Sequence, residues 1–216
     1  MSAPTAETPH KLLRVYREAL DALRPLDLPT RCAAAGYTYN AEGVDIRFLG
    51  RLFHFSVPRF ELEPEGPPQA TSVGTADADR LAERILILHY LCRASGAPLS
   101  GRLAGFDQLS GGRFYGSAFR KRTEQPLAHL FGQDPARLPA AARELGGAPG
   151  ESGDASAVLW PFPMVPMTLI VWAGDDEVPS NSKVLFDDTA EDYLSTEDIA
   201  VLGDLVIRRF KELSGS

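Results

Sequence analysis

The spacing of apolar residues changes along this chain from a helical period to a strand-like period and back, which limits the folds open to it. Between residues 9 and 25 the apolar residues recur every three or four positions, which predicts an amphipathic helix. Residues 44–57 instead alternate in two runs around Leu49-Gly50, which predicts a β-hairpin with one buried face. Helical spacing returns over residues 199–213. The chain therefore needs both helices and a sheet.

The remaining segments carry both kinds of pattern without a regular strand–helix–strand rhythm. This favours an α+β fold over a doubly wound parallel sheet. We expect a single domain over residues 1–216, with a mixed or antiparallel sheet, flanking helices and flexible segments at about 61–75 and 146–154. Further helices are predicted at 27–35, 75–95, 114–122 and 134–145, and further strands at 37–39, 99–106, 158–160, 167–172 and 183–186.

The apolar run over residues 160–167 contains Pro161, Pro163 and Pro166. Proline cannot donate a hydrogen bond to a neighbouring strand, so we expect this run to avoid a central strand. A rigid connector lining the core is the simplest interpretation, and the wall of a pocket is the alternative.

Composition excludes several classes of protein. With 44% hydrophobic and 24% charged residues, the chain resembles ordinary globular domains rather than disordered ones. Two cysteines are too few for a disulfide framework or an iron–sulfur cluster held by this chain. The N-terminus lacks the pattern of a signal peptide, and the longest apolar stretch is too short to span a bilayer. We therefore expect a cytoplasmic protein.

The formal net charge of −7 is concentrated in one segment. Residues 175–198 hold nine acids and one base, whereas the rest of the chain is almost neutral. The overall acidity argues against nucleic acid or a membrane surface as a partner. If the strands before Asp175 and Asp187 end side by side, then Asp175, Glu177 and Asp187 are candidate ligands for a hard cation such as Mg²⁺. The alternative is that these carboxylates only cap turns and face water.

The strongest candidate for binding chemistry is a glycine pair that precedes a predicted helix. Gly111 and Gly112 let backbone amides approach a ligand, and the start of a helix favours an anion. Arg113 adds a charge, Phe114 and Tyr115 add flat apolar surfaces, and Arg120 begins a basic cluster. These six residues are the predicted cofactor-binding set. The alternative is an ordinary turn with core aromatics and a solvated basic face.

Sequence signatures of common activities are missing from the chain. It has no phosphate-binding P-loop, dinucleotide-binding glycine motif, His-Glu-x-x-His, Cys-x-x-Cys, Gly-x-Ser-x-Gly or Asp-x-His-x-x-Gly corrinoid motif. The sequence therefore predicts no specific reaction.

Two ordered groups of residues resemble the domain of unknown function 3786 family. The first includes Phe106, Leu109, Gly111-Gly112 and Phe114-Tyr115 within residues 101–122. The second matches the family's C-terminal signature and, with residues 88–91, extends the resemblance from about Leu12 onwards. It comprises residues 172–179, 184–187, Tyr193-Leu194 and Glu197-Asp198.

The resemblance implies a setting in metabolism rather than an activity. The family occurs largely in anaerobic bacteria and archaea, and some members follow a four-cysteine iron–sulfur domain like that of corrinoid iron–sulfur proteins. Its biochemical role is unassigned. This chain lacks the cluster-binding cysteines of the fused members and has Val178 where an aromatic residue is expected.

Three hypotheses follow from these observations. The first is a module that binds a cofactor or anionic small molecule, such as a corrinoid, another tetrapyrrole or a pterin, in corrinoid-linked or iron–sulfur-linked one-carbon metabolism. The second is an enzyme that acts on a small anionic substrate through an acidic metal site. The third is an adaptor that docks onto an iron–sulfur or corrinoid protein through its acidic segment.

Overall fold

The computed structural model describes residues 7–64 and 75–215, which form helices and two antiparallel sheets. This confirms the predicted α+β class. The chain divides into two compact units, Met1–Ile46 with Arg51–Gly96, and Arg47–Gly50 with Ala97–Ser216. That all of residues 1–216 behave as one domain stays a prediction.

The first unit combines helices with a three-stranded sheet of order β1-β2-β3. β2 pairs antiparallel with β3. The elements are α1 (Glu7–Leu23), α2 (Leu28–Ala34), β1 (Gly43–Phe48), β2 (Arg51–Ser56), β3 (Glu61–Pro64) and α3 (Thr75–Arg93). α1 packs along α3, and the Cys92 Sγ lies 3.9 Å from the Ala19 carbonyl oxygen.

Two predictions for this unit were wrong in detail. The third strand is β3, whereas the predicted strand over 37–39 is reduced to a single bridge between Tyr39 and Val44. The predicted flexible segment at 61–75 accordingly begins with four residues of strand, and its residues 65–74 lie outside the described part of the chain. Pairing with β2 supplies backbone partners that local composition does not reveal.

The predicted hairpin between β1 and β2 is confirmed, and its turn is tight. Leu49 has φ of 46° and Gly50 has φ of 77°, so both turn residues adopt the left-handed conformation that matches strand twist in two-residue hairpins. α3 is buried on most sides over Ile85–Leu88. Its buried Glu83 is paired with Arg51, whose Nη1 lies 3.1 Å from Oε2. The ion pair connects β2 to α3.

The second unit contains a five-stranded antiparallel sheet of order β4-β8-β7-β6-β5. Its strands are β4 (Leu103–Gly105), β5 (Ala148–Pro149), β6 (Ala155–Phe162), β7 (Val165–Trp172) and β8 (Asn181–Asp187). Its helices are α4 (Gly112–Phe119), α5 (Gln125–Phe131), α6 (Arg137–Glu144) and α7 (Thr196–Leu213), with short 3₁₀ turns at Phe106–Gln108 and Asp188–Asp192. β5 lies within the predicted flexible segment at 146–154.

The proline-rich run at 160–167 forms the hairpin between β6 and β7, so the expectation that it would avoid a central strand was wrong. Pro161 lies where the pairing register shifts between Leu159 and Phe162, and Pro166 precedes Met167, the first β7 residue paired with β8. Prolines therefore occupy positions at which the missing N–H interrupts no regular ladder.

The helices of the second unit pack on the sheet and on one another. α5 contacts β7 and β8, α6 contacts β5 and β6, and α7 lies against α4, α5 and α6. Between α4 and α5 the helical path continues through a π-helical segment, Arg120–Glu124. The Phe106 and Phe119 rings stack with centroids 4.2 Å apart, which fixes α4 to the preceding 3₁₀ turn.

We expect the two glycines of α4 to respond in opposite directions to alanine. A Cβ on Gly112 would lie 1.9 Å from the Phe106 carbonyl oxygen, so Gly112→Ala should lower the free energy of unfolding by about 2 kcal/mol. A Cβ on Gly116 would meet only the Asp107 Cβ at 3.6 Å, so Gly116→Ala should raise it by about 0.5–1 kcal/mol. Urea denaturation measures both changes. Equal effects would contradict the packing of α4 on the 3₁₀ turn.

Candidate functional site

A groove of about 450 Å³ lies at the N-terminal end of α4. Its lining residues come from the 3₁₀ turn after β4 and from the beginning of the helix, and they are Asp107, Gln108, Leu109, Gly111, Arg113 and Phe114. Three of them, Gly111, Arg113 and Phe114, belong to the set predicted to bind a cofactor. We therefore take this groove as the candidate binding site.

The glycine pair shapes the groove in two different ways. Gly111 has φ of 75° and turns the chain into α4, a conformation that costs glycine little. Gly112 is buried, and its backbone passes directly over the Phe106 carbonyl. Gly112 therefore positions the helix, whereas Gly111 borders the groove.

The acidic segment holds the loop that enters α4. Both carboxylate oxygens of Glu191 accept a hydrogen bond from the Ser110 N–H at 2.9 Å. The Thr196 hydroxyl donates to the Ser110 carbonyl oxygen. Residues at the end of the second 3₁₀ turn and at the beginning of α7 thus anchor the residue that precedes the glycine pair.

The groove presents charge and apolar surface together. Arg113 is exposed and forms no ion pair with any residue that the structure describes. The side chain of Phe114 is 90% exposed, although an aromatic ring of this size normally buries much of its surface. An anionic group can therefore pair with Arg113 while a flat ring covers Phe114.

Tyr115 and Arg120 do not line this groove. Tyr115 is half-exposed on α4. Arg120 lies at the beginning of the π-helical segment, where its Nε is 3.7 Å from Oε2 of the buried Glu124. Lys183 approaches the other Glu124 oxygen at 3.3 Å. Arg120 therefore helps to neutralise a buried carboxylate, and its predicted role in binding is not supported by position.

The predicted convergence of acidic residues at one end of the sheet was wrong. β7 and β8 are neighbours, but they are antiparallel, with Trp172 opposite Asn181 and Met167 opposite Phe186. Asp175 follows the end of β7 and Asp187 ends β8, so they lie at opposite ends of the ladder, whose first and last paired positions are about 17 Å apart at ~3.4 Å per residue. Within residues 7–64 and 75–215, no group of three His, Cys, Asp or Glu side chains is arranged to hold a metal ion.

The aspartates at or just after the ends of these strands instead form hydrogen bonds with backbone N–H groups in nearby turns. The Asp175 carboxylate accepts the N–H groups of Val178 and Glu177, which lower its pKa and close the β7–β8 turn. Glu177 contributes its N–H to that turn, and its side chain is exposed. This agrees with the capping and hydration alternative for these two residues.

The Asp187 carboxylate also accepts backbone N–H groups, including two from residues far away in the sequence. Its carboxylate accepts hydrogen bonds from the N–H groups of Ser100, Gly101 and Thr189 and from the Thr189 hydroxyl. Burial raises the pKa of Asp187, but the hydrogen bonds from Thr189, Ser100 and Gly101 outweigh burial and lower the pKa to about 2. Asp187 therefore connects the turn after β8 to the segment that leads into β4.

Sequence reasoning missed Asp107 and Gln108, which line the groove. The available signal was the pair of polar residues between a predicted strand and the glycine pair, since binding residues concentrate in loops that follow strands. Lys183 was also missed as a neighbour, and its Nζ lies 3.9 Å from the Asp107 Oδ1. That contact joins residues 76 positions apart and has no local sequence signal.

A scan of family models matches residues 27–209 to a domain of unknown function, DUF3786. The chain belongs to this family. The match covers most of the chain and includes the groove, the glycine pair and the acidic segment. Searches of curated proteins and of solved structures returned no match. Across the described ranges, no helix is both long and apolar enough to cross a membrane.

We expect Asp187→Asn to lower the free energy of unfolding by about 2 kcal/mol at pH 7. The folded-state pKa is depressed, so the contribution of Asp187 is complete above its ordinary pKa near 4 and disappears as the pH falls towards 2. Denaturation curves between pH 2 and pH 7 should show that the difference in the free energy of unfolding between wild type and variant becomes smaller as the pH falls from 4 to 2. The exposed Asp176→Asn is the control and should leave stability unchanged. A difference that does not depend on pH would contradict the stabilising role of the ionised Asp187 carboxylate.

Proposed function

We propose that this protein is a binding module for a small anionic molecule that contains a flat ring, and that the groove at the beginning of α4 is its binding site. The observation that carries the proposal is the exposed Phe114 ring on the wall of the groove, next to Arg113, which forms no ion pair with any described residue. The proposal retains the ligand class expected from the glycine pair. It moves the site towards the 3₁₀ turn and away from Arg120.

Hydrogen bonding at the beginning of α4 supports an anion there. The Gly112 N–H donates to Leu109 and the Phe114 N–H donates to Gly111, whereas the Arg113 N–H makes no hydrogen bond to another described residue. A free amide at the first turn of a helix, combined with a guanidinium group, suits a carboxylate or phosphate. The contact requires no rearrangement of the helix.

The contacts that fix the loop before α4 also support a binding role. Glu191 and Thr196 hold Ser110, while Gly112 and the stacked Phe106 and Phe119 rings hold the helix. A preformed site loses less conformational entropy when a ligand binds. The exposed Phe114 ring, carried by a helix that is held in place, is then available for stacking.

The metabolic setting is part of the proposal. Corrinoid-linked or iron–sulfur-linked one-carbon metabolism offers anionic ligands with flat rings, which include corrinoids, other tetrapyrroles and pterins. The adaptor hypothesis stays a prediction, as does catalysis on a small anionic substrate. Catalysis through Asp175, Glu177 and Asp187 as one metal site is not retained, because the structure separates them.

We expect Arg113→Ala to weaken binding of such ligands roughly 5- to 30-fold, because a charge-assisted hydrogen bond contributes about 1–2 kcal/mol at an accessible site. Isothermal titration calorimetry with hydroxocobalamin, a haem and pterin-6-carboxylate would measure the dissociation constants. Arg17→Ala removes an exposed arginine from α1 and is the matched control. If none of these three ligands, GMP or AMP binds, or if the two variants bind the ligands with equal affinity, the proposal is overturned.

A further inference from the structure

Two adjacent polar residues on the wall of the groove have complementary hydrogen-bonding capacity. Asp107 and Gln108 both line the groove and are both exposed. An ionised carboxylate only accepts hydrogen bonds, whereas the amide of glutamine both accepts and donates. What each offers to a ligand depends on the contacts that it already makes in the protein.

The contacts of Gln108 leave its donor end for a ligand. Its Oε1 accepts the Gly105 N–H at 2.7 Å, and this bond identifies which end of the amide is the oxygen. The Nε2 group, with two N–H donors, forms no hydrogen bond with another described residue. Gln108 can therefore donate to a carbonyl oxygen of a ligand.

The contacts of Asp107 leave its carboxylate as an acceptor. Its side chain is 56% exposed, and the one cation beside it in the described residues is Lys183, 3.9 Å from Oδ1. The absence of a side chain on Gly105 makes room for this carboxylate itself, since a Cβ there would lie 2.8 Å from Oδ1. Asp107 can therefore accept two neighbouring N–H groups from a ligand, as carboxylates do with paired donors.

We propose that the groove recognises a ring whose edge presents an amino group, a ring N–H and a carbonyl oxygen in that order, together with an anionic tail. Asp107 accepts the two N–H groups, Gln108 donates to the carbonyl, Phe114 stacks on the ring and Arg113 pairs with the tail. Guanine nucleotides and pterins share this edge. The inference rests on the proposed function, because it names the ligand class of the same groove.

The size of the groove favours a bicyclic ring over a larger one. Small-molecule sites enclose roughly 300–1,000 Å³, and a groove of about 450 Å³ lies in the lower part of this range. A purine or pterin fits such a space with its tail directed towards Arg113. A tetrapyrrole macrocycle is much larger than a purine and would leave most of its surface outside the groove.

The first test compares ligands that differ at this edge. In calorimetry with the full chain, GMP or pterin-6-carboxylate should bind at least about 10-fold more tightly than AMP, which lacks the carbonyl and the ring N–H. Tighter binding of GMP identifies a nucleotide as the source of the edge, and tighter binding of pterin-6-carboxylate identifies a pterin. Equal affinities of the wild type for GMP, pterin-6-carboxylate and AMP would overturn the inference.

The second test exchanges the hydrogen-bonding preference at one position. In Asp107→Asn, the new amide donates where the carboxylate accepted, so affinity for GMP should fall about 10-fold or more. Affinity for XMP, which has a carbonyl in place of the amino group, should rise relative to wild type. A gain of this kind cannot result from poor folding. Unchanged GMP and XMP affinities would overturn the inference.

The outcomes separate this inference from the proposed function. If GMP, AMP and pterin-6-carboxylate bind with equal affinity and Arg113→Ala weakens the binding of all three, the module binds anionic rings without distinguishing the hydrogen-bonding groups on their edge. In that case only the inference fails. If neither these nor hydroxocobalamin or haem bind, both fail. Binding of inorganic phosphate with the same affinity as GMP also overturns the inference, since the ring then contributes nothing.

Discussion

The hydrogen bonds to the Asp187 carboxylate hold together the part of the second unit on which the groove depends. One oxygen accepts the Gly101 N–H at 2.8 Å, and the other accepts the Ser100 and Thr189 N–H groups. Ser100 and Gly101 lead into β4, whereas Thr189 lies in the 3₁₀ turn that follows β8. One buried carboxylate thereby fixes two chain segments that are almost 90 positions apart in sequence.

Both of those segments continue into the candidate site. β4 leads to the 3₁₀ turn that contributes Asp107 and Gln108, and the turn after β8 contributes Glu191, which binds the Ser110 N–H. The loop from Leu109 to Gly111, which joins the first 3₁₀ turn to α4, is therefore fixed by β4 on one side and by Glu191 on the other. Asp187 and Glu191, two of the nine acids in the acidic segment, hold this region. Both carboxylates accept backbone N–H groups that have no partner within a strand or helix.

Predictions from local pattern succeeded where a structure depends on neighbours in sequence. Leu49-Gly50 turns the first hairpin, as the alternation on either side of it predicted. Gly111 precedes a helix, as predicted, whereas Gly112 is the first residue of that helix, and Gly111, Arg113 and Phe114 all line the groove. Each of these features depends on backbone conformation or on contacts within about four residues.

Predictions that required strand order or direction failed. Asp175 follows one strand and Asp187 ends the next, and local sequence does not reveal that the two strands run in opposite directions. The same limit explains why β3 was missed, since its short sequence becomes a strand only by pairing with β2. Arg120 was assigned to the site although it neutralises Glu124, a residue buried by the π-helical segment and β8.

The sequence by itself determined the α+β class, most of the helices, the first hairpin and the glycine pair that begins α4, because periodicity, caps and turns act over a few residues. Tertiary structure alone decided which polar groups share a surface. It placed Lys183 beside Asp107, directed Glu191 to Ser110 and separated Asp175 from Asp187. The physical reason is that antiparallel pairing and side-chain hydrogen bonds join residues far apart in the chain, and one reversal of strand direction moves a side chain to the opposite end of the sheet.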